Sequence, residues 1–167
     1  RNCFHIYGTR APNGATIENR LTDQMTHPNF PVPLQIMQSK KEFHDLEVGE
    51  AVKIGEITIE NAPLNHPGEA VGYRVNWRGY SAAYITDTEH LEKGFDKNVL
   101  QLAHNADVMI YDAAYTDEEY YSEISSKMGW GHSTWQEAIK VARAANAKKL
   151  VIFHHDPLHN EIGRAHV

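Results

Sequence analysis

The sequence predicts an α/β layered domain, and three observations carry that reading. From Phe43 onward, apolar residues alternate with period two. After Asp87 the spacing turns helical and is interleaved with short apolar runs. No stretch approaches the roughly 18 consecutive apolar residues that a membrane span needs. An antiparallel β half followed by alternating helices and strands is the pattern of sheets covered by helices. With no internal repeat and no linker long enough to divide it, one domain over residues 1–160 is expected.

The elements follow in order. Cys3-Phe4-His5-Ile6-Tyr7 reads as a buried strand, and Gly8-Thr9-Arg10 with Pro12-Asn13-Gly14 as a turn-rich loop. Across residues 15–25, Ile17, Leu21 and Met25 recur every fourth position, which predicts an amphipathic helix ended by Pro28. Two more prolines make residues 29–34 an irregular surface crossing. Ile57 and Ile59 alternate with polar neighbours, as do Val71, Tyr73, Val75 and Trp77. Residues 80–85 form a further run, joined across Arg78-Gly79 as a hairpin. Helical spacing over 95–104 precedes a strand at 108–111. Residues 116–125 are expected to be helical, with Asp117, Glu118 and Glu119 suiting the positive end of the helix dipole. Ser133 or Thr134 caps another helix, since Gln136 and Glu137 stand three residues on from each. The buried face of that helix is expected to be Trp135, Ile139 and Ala142. Residues 150–153 close the series as a core strand.

Composition narrows the partners. The 167 residues carry 22 acids and 16 bases, a net charge of -6, so an extended nucleic-acid surface is not expected. The one cysteine, Cys3, forms no internal disulfide. Eleven histidines are many for this length and point to metal or proton chemistry. The chain starts at Arg1 without a methionine and runs straight into a strand, so a truncated N-terminus is expected. Its last seven residues, Glu161-Ile162-Gly163-Arg164-Ala165-His166-Val167, resemble the translation of a sequencing adapter and are expected to form a non-native tail, 161–167.

Three polar residues stand just past hydrophobic runs, where strands leave the core for a common edge. His66 follows the strand at 57–64, Asp87 the strand at 80–85 and His154 the strand at 150–153. Two imidazoles and a carboxylate suit zinc, manganese or iron, and Asp87 has the two oxygens needed to bridge two cations. Spacing leaves open that the three are separate surface residues. In Gly129-Trp130-Gly131-His132-Ser133-Thr134, a turn presents His132 beside a helix N-terminus, where an anion is favoured. His132 can donate to such an anion or protonate a leaving group, or stand idle beside a simple cap. Asp112 ends the strand at 108–111 and either orients a ligand histidine or caps the turn that follows. His155, Asp156 and His159 crowd the same end as His154, where only one or two can reach a metal. His5, His27, His44, His90 and His104 are assigned no role.

Taken together, Pro63-Leu64-Asn65-His66-Pro67-Gly68 with Gly72-Tyr73-Arg74-Val75, then Thr86-Asp87-Thr88-Glu89, Gly131-His132-Ser133-Thr134 and Phe153-His154-His155-Asp156-Pro157 resemble the metallo-β-lactamase-fold hydrolases. The nearest branch is similar to ribonuclease Z and the cyclic-nucleotide phosphodiesterases. The resemblance implies an αββα sandwich, here N-terminally truncated, with two divalent metal ions, zinc with manganese or iron as alternatives. It implies that His66 serves the first metal, Asp87 bridges and His154 serves the second. His132, with Asp112 behind it, takes the catalytic role at the phosphate. The family's His-x-His-x-Asp-His segment is absent from these residues, so the chain by itself is expected to bind metal weakly, to hydrolyse little and to expose an apolar sheet face. Where ribonuclease Z has His-Glu-Ala-Thr, this chain has Tyr111-Asp112-Ala113-Ala114. The short interval between His66 and Asp87 leaves no room for the arm that ribonuclease Z lays on transfer RNA. A small phosphodiester or cyclic nucleotide is therefore the expected substrate, in a cytoplasmic protein with no membrane partner and compatible with a homodimer. An ester, thioester or lactone hydrolase, or a non-catalytic binding module, are the alternatives on the same fold.

Overall fold

Strands that run parallel need a connection long enough to cross the sheet. In a computed structural model, which describes residues 2–157, the first of two compact units, residues 1–50, is built on that requirement. Strand β1 (Cys3–Thr9) pairs in parallel with β2 (Lys40–Leu46), and helix α1 (Ile17–Gln24) lies in the connection and packs on both. Thr16 and Asn19 cap α1 reciprocally, each side chain accepting the other's backbone N–H. The helix comes closest at Gly8, where a Cβ would stand 2.7 Å from Ile17 Cδ1. A 3₁₀ turn, Leu34–Ile36, lies at the end of the proline-rich crossing. The period-two pattern thus starts at Lys40, and its first strand pairs back with β1 instead of opening the meander that follows. Parallel partners share no hairpin turn, so spacing alone does not announce the pairing.

The second unit, residues 51–167, holds a six-stranded sheet. Strands β3 (Val52–Ile54), β4 (Ile57–Pro63), β5 (Val71–Trp77) and β6 (Tyr80–Ile85) form an antiparallel meander, with Trp77 paired to Tyr80 across the expected Arg78-Gly79 turn. Helix α2 (Lys97–Ala103) leads to β7 (Val108–Asp112), and α3 (Asp117–Tyr120) and α4 (Trp135–Ala144) lead to β8 (Leu150–Phe153). The last two strands add in parallel, giving the order β3-β4-β5-β6-β7-β8. Helices α2 and α4 cover one face, where Ala83, Ile85, Met109 and Tyr111 meet Leu102, Ala138 and Val141. The other face carries Val75, Tyr84, Val151 and Phe153, exposed by 37–46%. Each unit sets helix against sheet, the layering that the sequence predicts. No helix of the described residues is long and apolar enough to cross a membrane.

Four expectations change. Of the strand at 3–7, read as buried, Cys3, Phe4 and His5 are exposed and Ile6 and Tyr7 half-buried. The helix over 116–125 shrinks to α3, a single turn whose Thr116–Glu119 capping box is intact. Beyond it, Ser126 Oγ donates to the Tyr120 carbonyl, and Ser122 Oγ accepts from the amides of Ile124 and Ser125, so serine side chains compete with the helical ladder. Helix α4 buries Ala138, Val141 and Ala142, while Trp135 and Ile139 are half-buried. Small residues let α4 close on β7 and β8, whereas reading by size selects the large ones. Strand β8 is an edge strand with alternate residues exposed, not a strand enclosed on both faces. The expected tail, 161–167, and His159 lie outside the described residues.

Candidate metal and catalytic site

The site lies at the end of the six-stranded sheet, where β4, β6, β7 and β8 hand over to loops. Asp87 and His154 both hold positive φ, 58° and 62°, a conformation that costs a non-glycine residue about 1–3 kcal/mol and gathers at functional sites. The Nε2 of His154 stands 3.8 Å from Asp87 Oδ1. The ring of His132 stacks on His154 at 4.5 Å, and His66 meets His132 edge-on at 5.5 Å. Ligand atoms of His66, Asp87 and His132 lie within 4.8 Å of one another, as do those of Asp112, His132 and His154. All five residues singled out from the sequence therefore meet, with His132 between the two halves.

Asp112 holds the arrangement together. It is fully buried at the end of β7. Its Oδ2 accepts from the amides of Asp87 at 2.9 Å and Thr88 at 3.4 Å, and from His132 Nδ1 at 2.9 Å. Its Oδ1 accepts from the amides of Ser133 at 3.1 Å and Ala114 at 3.3 Å. One carboxylate thus ties the Asp87 loop, the end of β7 and the His132 loop to a single point. Both of its oxygens are engaged in these bonds. The bond to His132 raises the His132 pKa above the usual imidazole value, against a smaller opposing effect of burial.

Backbone geometry explains why a Gly-His-Ser loop is needed here. Gly131 has φ 87°, and a Cβ on it would fall 2.3 Å from His66 Cδ2 and 2.7 Å from Pro67 Cδ. Only glycine lets the His132 loop lie against His66. The Gly68 amide donates to His66 Nδ1 at 2.9 Å, which fixes the ring; a cation at Nε2 requires that bond to be released. Thr134, not Ser133, caps α4, accepting from the Glu137 amide. The Trp135 amide donates to the Tyr115 carbonyl. The helix end is therefore largely satisfied from within.

Two residues essential to this geometry carry no signal of their own in the sequence. Glu89 is buried, and its carboxylate accepts from Tyr120 Oη at 2.5 Å, the Gly129 amide at 2.6 Å and the Gly131 amide at 3.1 Å. Its backbone exchanges bonds with Asn65, so the His66 and His132 loops are held from one position. His90, assigned no role from spacing, is buried with Nδ1 3.0 Å from Ser133 Oγ and Nε2 3.3 Å from Tyr121 Oη.

A family model described as a beta-lactamase superfamily domain matches residues 5–155. The chain belongs to that family. Among its relatives is a ribonuclease Z from Archaeoglobus fulgidus, 39% identical over 77 residues, which are 46% of this chain and 22% of the relative. The metallo-beta-lactamase fold protein YhfI of Bacillus subtilis superposes with a TM-score of 0.68 at 15% identity, covering 98% of this chain and 57% of that one. Unliganded yeast PDE1 gives 0.57 at 10% identity, covering 94% and 50%. The last two share the fold. The chain spans 22–50% of the length of the curated relatives it matches.

In this beta-lactamase superfamily chain His66, Asp87 and His154 are residue types that suit a divalent cation of borderline hardness, while the sets whose ligand atoms converge are His66, Asp87 and His132, and Asp112, His132 and His154. A cleft of about 330 Å³ opens beside His132 and His154, lined also by Ala114, Tyr115 and Asp156.

Burial pushes the His90 pKa below its ordinary value. The folded state therefore favours the neutral ring, and this stabilisation is present above about pH 6.5 and lost as the pH falls below that value. The melting temperature is expected to fall between pH 7.5 and pH 5.5, with a shallower fall in His90→Gln. An identical slope in the variant would assign the effect to other groups.

Proposed function

We propose that the whole protein is a metal-dependent phosphodiesterase acting on a small phosphodiester or cyclic nucleotide. The observation that carries this reading is the Asp112–His132 pair, a proton donor aimed into the cleft beside His66, Asp87 and His154. In this reading His66, Asp87 and His154 would hold the divalent cations, with zinc the favoured metal and manganese or iron the alternatives. Bound divalent cations lower the pKa of water toward about 7 and offset phosphoryl charge. The chain's own residues do the rest. His132 donates its free N–H to a phosphoryl oxygen and passes that proton to the leaving alkoxide. Asp112 orients the ring and favours its protonated form, so little reorganisation is needed as negative charge develops.

A small substrate is favoured on two grounds. The interval between His66 and Asp87 is filled by the β5–β6 hairpin, with nothing left to form an arm. The net charge of -6 opposes a long polyanion. Lys127, stacked over Trp130 at 4.3 Å and facing Tyr115 at 5.7 Å, supplies a held cation in the adjoining groove. The Archaeoglobus relative, a ribonuclease by name, agrees with phosphodiester chemistry.

Parallel assays of the whole protein on bis(p-nitrophenyl) phosphate, a cyclic nucleotide, a precursor tRNA and a lactone test the proposal. Chelator-sensitive turnover of the two small phosphodiesters, restored by zinc, is the expected result. Faster lactone turnover would move the site to acyl chemistry, and preference for the precursor tRNA would overturn the small-substrate reading.

A further inference from the structure

We propose that the groove beside the reaction cleft is a subsite for a phosphorylated sugar, with Lys127 taking the phosphate. The favoured substrate is then a linear phosphodiester bearing a second, terminal phosphate. The scissile group is placed by the phosphodiesterase reading, on which this proposal rests. The groove, of about 480 Å³, is lined by Tyr115, Glu118, Ser122, Ser125, Lys127 and Asp156, all within residues 51–167. Tyr115 and Asp156 also line the cleft at His132 and His154, so the two recesses adjoin. The Tyr115 ring lies 6.3 Å from that of His132 and 5.7 Å from Lys127 Nζ. A ligand lying along Tyr115 spans from one to the other.

Lys127 carries the proposal. Its amide donates to the Tyr120 carbonyl and its carbonyl accepts from the Trp130 amide, each at 3.1 Å, so the backbone is pinned on both sides. The side chain is half-buried, and its ammonium lies 4.3 Å over the exposed Trp130 ring. Two aromatic faces thus hold the charge. Among the described residues no carboxylate pairs with it. An ammonium has three N–H donors, and a ring face supplies no oxygen to accept them. An anionic oxygen completes the arrangement. Because the lysine is held before a ligand arrives, less side-chain freedom is lost on binding.

The rest of the lining suits the sugar. Ser122 Oγ accepts from the amides of Ile124 at 3.4 Å and Ser125 at 3.3 Å, which leaves its O–H to donate. Glu118 is exposed and offers acceptors. A donor and an acceptor in one groove match hydroxyl groups, which both donate and accept. Glu119 is committed elsewhere, its Oε2 accepting from the Thr116 amide at 2.8 Å and hydroxyl at 3.0 Å. A second phosphate without a sugar would set an anion against Glu118, whereas sugar hydroxyls give that carboxylate a partner.

Ribose 5-phosphate serves as the probe, with ribose and inorganic phosphate beside it. Binding is read by calorimetry on the whole protein after chelator treatment, so that no metal competes for the phosphate. Ribose 5-phosphate is expected to bind at one per chain and at least about tenfold tighter than either fragment. Lys127→Met, which keeps a stem against the two rings, should lose that advantage, and Lys127→Arg should keep it. Weakening in His132→Ala but not in Lys127→Met would place the phosphate at the reaction centre and overturn the proposal. In the metal-loaded protein, a dinucleoside monophosphate with a terminal 5′-phosphate should exceed the same compound without it at least about tenfold in kcat/KM, through KM. Lys127→Met should abolish the ratio. Equal turnover of the two by the native protein would overturn the subsite and leave the phosphodiesterase reading standing. Lys127-dependent binding of ribose 5-phosphate with neither dinucleotide hydrolysed would keep the subsite and remove that reading.

Discussion

Replacing Asp112 by alanine is expected to cost about 3–5 kcal/mol of stability, read as a lower urea midpoint at unchanged slope. The size follows from what the side chain leaves behind. Four backbone amides, of Asp87, Thr88, Ala114 and Ser133, lose a buried acceptor, and His132 loses the carboxylate that stabilises its charge. Asp112→Asn, similar in shape, is expected to be damaging as well, because its NH₂ must face groups that are themselves donors. Part of the effect depends on pH. Asp112 raises the folded pKa of His132, so that pairing contributes fully below about pH 6.5 and fades as the pH rises through the raised value. The gap between native and Asp112→Ala chains should therefore narrow toward alkaline pH. A loss below about 1 kcal/mol would mean that the amides find other partners.

His132→Ala is expected to lower phosphodiester turnover of the whole protein by about 10²–10³ with metal content retained, the usual cost of removing one donor aimed at developing charge. Charge separates this outcome from its competitor. Asp112 favours the protonated His132 ring, and such a ring serves an oxygen better than it serves a cation. Metal analysis of the purified variant decides between the roles. Loss of bound metal would make His132 a ligand, and undiminished turnover would leave it as packing against His154.

How much of this was legible depended on whether the determining contact was local. The β5–β6 hairpin shows as alternation broken at Arg78-Gly79, and the structure pairs Trp77 with Tyr80 accordingly. His66, Asp87 and His154 are singled out because a polar residue just past an apolar run marks a strand leaving the core. The cap of α4 was narrowed to Ser133 or Thr134, and only tertiary contacts assign it: Ser133 is taken by Asp112 and His90, which leaves Thr134. Glu89 looked like any acid in a loop, since its partners at 120, 129 and 131 are distant in sequence. His5 and His44 read as unrelated histidines because nothing in their separation signals a parallel register. Helix α3 failed for a different reason: acids suited its start, while Ser122 and Ser126 drew the backbone out of the ladder beyond it.

The central claim is that His66, Asp87 and His154 hold catalytic metal at one sheet end. Zinc affinity of the whole protein, measured by chelator competition, tests it. His66→Ala, Asp87→Ala and His154→Ala are each expected to weaken zinc binding at least about tenfold, since removing a ligand costs no less than disturbing its support. Native affinity in all three variants would contradict the account and place the metal elsewhere.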